Sequence, residues 1–202
     1  MRALAKQWLL EQAYSQAREN FEQIVGYLDS QEASGMTHSE LERELEKKGR
    51  ELMRKLLQEH LNNRGPGQCD PPVEGADGVA RSRMRLQQRE LETVFGTVSV
   101  ERAGYGQQGV ESLHPLDAEL NLPDERYSLE LRRRVAEEAA KSSFDETLES
   151  IGKNTGAHVA KRQVEELVMR AAQDFDAFYQ RRQALAGDGQ GAGSILAISV
   201  DG

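Results

Sequence analysis

The stretch SFDETLESIGKNTGAHVAKRQVEELVMRAAQDFDAFY, residues 143–179, decides how this chain is read. It opens with Ser143, Phe144, Asp145 and Glu146, a capping box. In that arrangement the serine hydroxyl and the glutamate carboxylate each satisfy a backbone N–H that the first helical turn leaves without a partner. Phe144, Leu148 and Ile151 then fall on one face. Asn154, Thr155, Gly156, Ala157 and His158 interrupt the pattern, since Gly and Asn tolerate the left-handed conformation that ends helices. From Lys161 onward, Val164, Leu167, Val168, Ala171, Phe175 and Phe178 recur at helical spacing, so a second helix carries an apolar stripe that must be buried.

Two helices across one short polar turn suggest a helix-turn-helix, whose second helix enters the major groove by its N-terminal residues. Lys161, Arg162 and Gln163 stand at that position. Lys and Arg neutralise phosphates, and Gln pairs with an adenine edge. His158 in the turn, with Arg132 and Arg133 on the preceding helix, completes the candidate DNA-contacting set. Glu165 and Glu166 follow at once and repel phosphate, so plain helical packing competes with the DNA-binding reading.

Hydrophobic residues make up 38% of the 202 residues and charged residues 30%, the balance of a helix-rich protein with large solvated faces. The net charge of −8 argues against a general nucleic-acid binder. Between Leu131 and Arg182, however, ten Lys or Arg face nine Asp or Glu, so the acidity lies earlier in the chain. Cys69 is the one cysteine, which excludes an internal disulfide framework and a cysteine-rich zinc site. Trp8, Leu9 and Leu10 are too short an apolar run for a signal peptide, and nothing approaches a membrane span. A reducing, cytoplasmic setting without membrane partners is expected.

Upstream, Leu10, Tyr14, Ala17, Phe21, Ile24, Val25 and Leu28 mark a first helix. A second begins at the capping box Thr37-x-x-Glu40 and carries Leu41, Leu45, Leu52, Leu56 and Leu57 toward Leu61. Together they form an N-terminal helical hairpin over 1–64, and the leucine stripe suggests a homodimer. Residues 65–126 read as a linker holding a small β-hairpin: Leu91–Val94 and Thr97–Val100 are the strands, and Arg81, Arg83, Arg85 and Arg89 a basic approach to them. Ala103–Gly109 is too glycine-rich for regular structure, and His114–Pro123 reads as an extended connector. Ser128 caps a helix with Leu131, Val135 and Ala139 inward, opening a helix-turn-helix-like region over 127–182. A flexible linker follows over 183–194, and Ile195–Val200 reads as a buried strand ending at Asp201. A strand so apolar is unstable as a free tail, so the chain is expected to stop at the threshold of a further domain. The fold class expected is therefore mainly α.

The strings TVFGTVSVERAGYG (93–106), HPLDAELNLPDERYS (114–128), SSFDETLESIGKNTGAHVAKRQVEEL (142–167), QDFDAFY (173–179) and SVDG (199–202) resemble the N-terminal half of transposases of the ISKra family of bacterial insertion sequences. The resemblance implies a helical, DNA-binding region that recognises the element's terminal repeats, followed by an RNase H-like catalytic domain of the DDE type. Residues 195–202 would be that domain's first strand, and Asp201 matches the first of its three acidic residues. In that chemistry divalent cations, usually magnesium, bridge the carboxylates and stabilise both oxygens of an in-line phosphoryl displacement. One carboxylate is not enough, so the chain is expected to be inactive in strand transfer by itself. The alternative is a non-enzymatic binder, either a repressor or a helical dimerisation protein.

Overall fold

The Thr37 capping box forms as its residues dictate. A computed structural model describes residues 13–172, in which helix α1 spans Ser15–Leu28, α2 is the single turn Gln31–Ser34 and α3 spans His38–Arg64. The Glu40 carboxylate accepts from the backbone N–H of Thr37 at 2.9 Å and from its hydroxyl at 2.7 Å. Helix α1 packs on α3 and has no side-chain cap of its own. Buried Glu59 of α3 supplies one, accepting from the backbone N–H groups of Gln16 and Ala17 at 2.9 Å each. A carboxylate there also meets the positive end of the helix dipole.

The sheet is larger than the sequence suggests. Strands β1 (Val73–Glu74) and β2 (Ala80–Arg81) pair with each other; β3 (Arg83–Thr93), β4 (Gly96–Gln107) and β5 (Val110–Leu113) form an antiparallel sheet in that order. Instead of a short hairpin with a basic approach, Arg83, Arg85 and Arg89 lie within β3 itself. Likewise Ala103–Gln107, expected to be irregular, is the second half of β4. Alternation explains this: Gly104 and Gly106 share one face, while Ala103 and Tyr105 point to the other and are fully buried. The Tyr105 hydroxyl accepts from the Cys69 N–H and donates to its carbonyl, both at 2.7 Å.

The Gly- and Pro-rich segment after α3 is thereby strapped onto the sheet rather than free. The Ala103 N–H donates to the Pro66 carbonyl at 2.8 Å. Gly67, with φ of 65°, passes so close to Leu116 that a Cβ would lie 2.8 Å from the leucine Cβ. The Arg81 side chain is only 3% exposed and bonds Asp77 and the Glu111 carbonyl, so it belongs to the interior of this strap. His114–Pro123 is not wholly extended: Pro115–Glu119 is a short helix, α4, with proline at a position where a helix start needs no N–H.

Helices α5 (Leu129–Ala139), α6 (Phe144–Asn154) and α7 (Lys161–Ala171) complete the described chain. Ser128 caps α5 as expected, its hydroxyl accepting from the Leu131 N–H. The described residues form two cores. Leu91, Val98 and Val100 meet Leu116 and the end of α3 through Leu57 and Leu61, while Leu131, Val135, Ile151, Val164 and Leu167 close the three-helix unit over Val94 and Tyr127. Helices predominate, but the fold is mixed α/β. The apolar positions Phe175 and Phe178, the linker at 183–194 and the strand at 195–202 lie outside the described residues.

Candidate nucleic-acid interface

Helices α5, α6 and α7 pack against one another, with α6 and α7 joined through Thr155–Ala160. The α6 capping box forms: the Glu146 carboxylate accepts from the Ser143 N–H at 2.9 Å, and the Ser143 hydroxyl accepts from the Glu146 N–H at 3.4 Å. The helix does not end in a left-handed residue, as the Asn and Gly suggested. Its C-cap is Thr155 in extended conformation, φ −134° and ψ 169°, with the buried hydroxyl donating to the Ile151 carbonyl at 2.7 Å. Gly156 answers a different need. A Cβ on it would lie 2.4 Å from the Phe95 carbonyl oxygen, so the turn touches the tip of the β3–β4 hairpin backbone to backbone.

Three separate elements hold that turn. At the hairpin tip, the Val94 carbonyl accepts from the Gly156 N–H at 2.9 Å. From α3, Arg50 donates through Nη1 to the Thr155 carbonyl at 2.7 Å and through Nη2 to the Lys153 carbonyl at 3.1 Å, satisfying the C-terminal end of α6. From β3, the buried Glu92 carboxylate accepts from the His158 N–H at 3.1 Å and from the Thr97 hydroxyl at 2.7 Å. The direction in which α7 leaves the turn is therefore set by the sheet and by α3. Arg50 and Glu92 are the residues that sequence reasoning missed, since each acts on a partner far along the chain and neither carries a local pattern.

Lys161, Arg162 and Gln163 come together at the start of α7. The Lys161 ammonium pairs with Asp145 of α6 at 2.7 Å, and the hydrogen bond to that carboxylate raises its pKa despite some desolvation. Arg162 pairs with Glu166 at 3.1 Å while its side chain remains 86% exposed, and Gln163 also donates to Glu166, at 3.2 Å. Ala160 occupies the cap position and offers no side-chain acceptor. His158 is exposed, with its backbone N–H committed to Glu92.

Arg132 and Arg133 do not join this group. Arg132 pairs with Glu125 at 3.0 Å, and the same carboxylate holds Arg170 at the far end of α7. Nine residues of helix separate Arg170 from Lys161, about 14 Å. Arg133 pairs with Glu130 at 2.8 Å and with Glu137 along α5. Hydrogen bonds from Arg133 and then Arg134 hold the Glu130 carboxyl down to about 2.

Asp201, which the resemblance assigns to catalysis and to magnesium, lies outside the described residues. Among the described residues no group of three or more His, Cys, Asp or Glu is placed to hold a metal ion, and no helix is long and apolar enough to cross a membrane. Comparison of the chain with protein-family models, with curated proteins and with solved structures returns no match.

Proposed function

We propose that this chain is the DNA-binding region of an insertion-sequence transposase of the ISKra type, and that it grips the element's terminal repeats with the α6–α7 pair. The observation that carries this reading is the start of α7, which lacks a side-chain cap, exposes Arg162 and is aimed by the clamp on its turn. An uncapped helix start presents backbone N–H groups to a phosphate, and flanking Lys and Arg add charge. Asp145 and Glu166 compete for those cations. Exposed ion pairs are screened by water and hold their partners weakly, so exchanging them for phosphate contacts costs little. An RNase H-like domain beginning near residue 195, with Asp201 as its first magnesium-binding carboxylate, belongs to the same proposal.

The test is a gel-shift series on a terminal-repeat duplex across a salt titration. Binding should weaken steeply with salt, and Lys161→Ala with Arg162→Ala should flatten the log–log slope by roughly two, about one for each phosphate that is no longer neutralised. Binding that is absent, or indifferent to salt, would favour a second reading, a helical dimerisation protein. That reading draws on the exposed Phe21, Val25 and Leu28 of α1 and Met53 of α3. Dimerisation through this face is also compatible with DNA binding, and a monomeric mass by light scattering would reject it.

A further inference from the structure

Along β3 the side chains alternate, and Arg83, Arg85 and Gln87 share one face. Their cross-strand partners on β4 are Gly106, Gly104 and Arg102. Neither glycine offers a side chain, but the His114 imidazole, which bonds Gln87 at 3.0 Å, lies over Gly104, so the open position opposite the arginines is Gly106, with Ser112 beside it. Gln108 and Ser112 close the far side, and the whole forms a shallow basin of about 240 Å³. The other basic residues of this region are engaged. Arg81 is buried against Asp77, Arg102 pairs with Asp117, and Arg89 reaches Asp117 at 3.4 Å and the Pro123 carbonyl at 2.8 Å. Arg83 and Arg85 are exposed, and among the described residues neither side chain has an ion-pair or hydrogen-bond partner.

We infer that Arg83 and Arg85, beside the open face of Gly106, form a seat for the phosphodiester backbone of nucleic acid. Guanidinium groups meet phosphate through paired N–H donors, and the two lie about 7 Å apart along the strand. Gly106 lets a backbone approach the sheet where a larger residue would fill the space. Gln87, Gln108 and Ser112 add neutral donors of the kind that fix register on phosphate without reading sequence. Among the described residues no carboxylate lines the basin. The seat rests on the reading that the chain binds DNA, yet it is separate from α7. It lies near the start of β3, roughly 30 Å along the strand from the tip that holds the α6–α7 turn.

The experiment measures binding of a short mixed-sequence duplex by fluorescence anisotropy, using the full chain at several salt concentrations. Arg83→Ala with Arg85→Ala should lower affinity about tenfold at low salt and flatten the salt slope by roughly two. Gly106→Leu should weaken binding several-fold with both arginines in place, because it fills the basin without removing charge. Arg43→Ala with Lys47→Ala, which takes the same charge from exposed sites on α3, should change affinity far less. An equal loss there would reduce the effect to net charge and overturn the seat. Parent-like binding by the β3 double variant, beside a loss in Lys161→Ala with Arg162→Ala, would overturn the seat and leave the α7 reading standing. Titration with inorganic phosphate, followed by arginine side-chain N–H resonances, separates the remaining case: saturable phosphate binding without duplex binding would mark a small-anion site instead. A chain that binds neither duplex nor phosphate would overturn both readings.

Discussion

The side-chain amide of Gln58 makes to Ser99 both of the bonds that a neighbouring strand would make. Its Nε2 donates to the Ser99 carbonyl at 2.8 Å, and its Oε1 accepts from the Ser99 N–H at 2.7 Å. Strand β5 pairs with β4 only from Tyr105 onward, so among the described residues the first half of that edge has no strand beside it. Helix α3 closes it instead, with Arg54 donating to the Thr97 carbonyl at 3.4 Å next to the Gln58 pair. Gln58→Leu keeps the bulk and strands two half-buried backbone groups, so it should cost about 2 kcal/mol. Urea denaturation reads this directly, and an unchanged midpoint would show that water replaces the amide without loss.

Gly156 is held to glycine by space. Gly156→Ala drives a methyl group into the Phe95 carbonyl, which is backbone and has little room to yield. The hairpin tip and the helix turn must separate, with a loss of roughly 2 kcal/mol and of the bond to the Val94 carbonyl. Faster amide hydrogen exchange at residue 156 would accompany the loss. A variant as stable as the parent would mean that the contact is looser than its geometry indicates.

Asp145 competes with DNA for Lys161. Asp145→Asn should free the ammonium and raise duplex affinity a few-fold, with a steeper salt dependence, while stability changes little because the pair is exposed. If affinity is unchanged or falls, Lys161 does not touch phosphate.

His114 and Asp77 contribute at different stages of the response to acid. Burial, then the neighbouring Arg102 charge, lowers the pKa of His114 from its ordinary 6.5. The unfolded chain therefore takes up this proton first, and the stability from neutral His114 is present above about 6.5 and declines as pH falls below it. Asp77 is held down to about 2 by its bond from Arg81 and then by the Val79 N–H. Its contribution is present above the ordinary 3.8 and is lost as pH falls from there toward 2. The urea midpoint should thus fall in two stages on acidification. His114→Gln should abolish the first and Asp77→Asn should shrink the second, to which the lowered Glu130 carboxyl also contributes, and a parent midpoint that rises between pH 6.5 and 5 would refute the His114 assignment.

The long helices were legible because their signals are local, whereas the short Gln31–Ser34 and Pro115–Glu119 carry too few turns for a periodic stripe. Ser128, Ser143 with Glu146, and Thr37 with Glu40 mark starts by residues three apart, and the stripes from Leu131 to Leu167 recur at the helical period. The second half of β4 was illegible for the opposite reason. Gly104 and Gly106 look like chain breakers in one dimension. Only the register against Arg83 and Arg85, and the anchoring of Tyr105 by Cys69, place them on one face of a strand.

For the candidate site, residue order alone placed Lys161, Arg162 and Gln163 at one helix start, since a helix fixes the spacing of its own side chains. Which carboxylates restrain them, and which way the helix points, came from elsewhere: Asp145 on α6, and the clamp of Arg50, Glu92 and Val94 on the turn. Those partners lie up to 105 residues away along the chain. Contacts of that range leave no periodic trace in the sequence, because they are set by how the sheet and helices pack rather than by any one segment's own geometry.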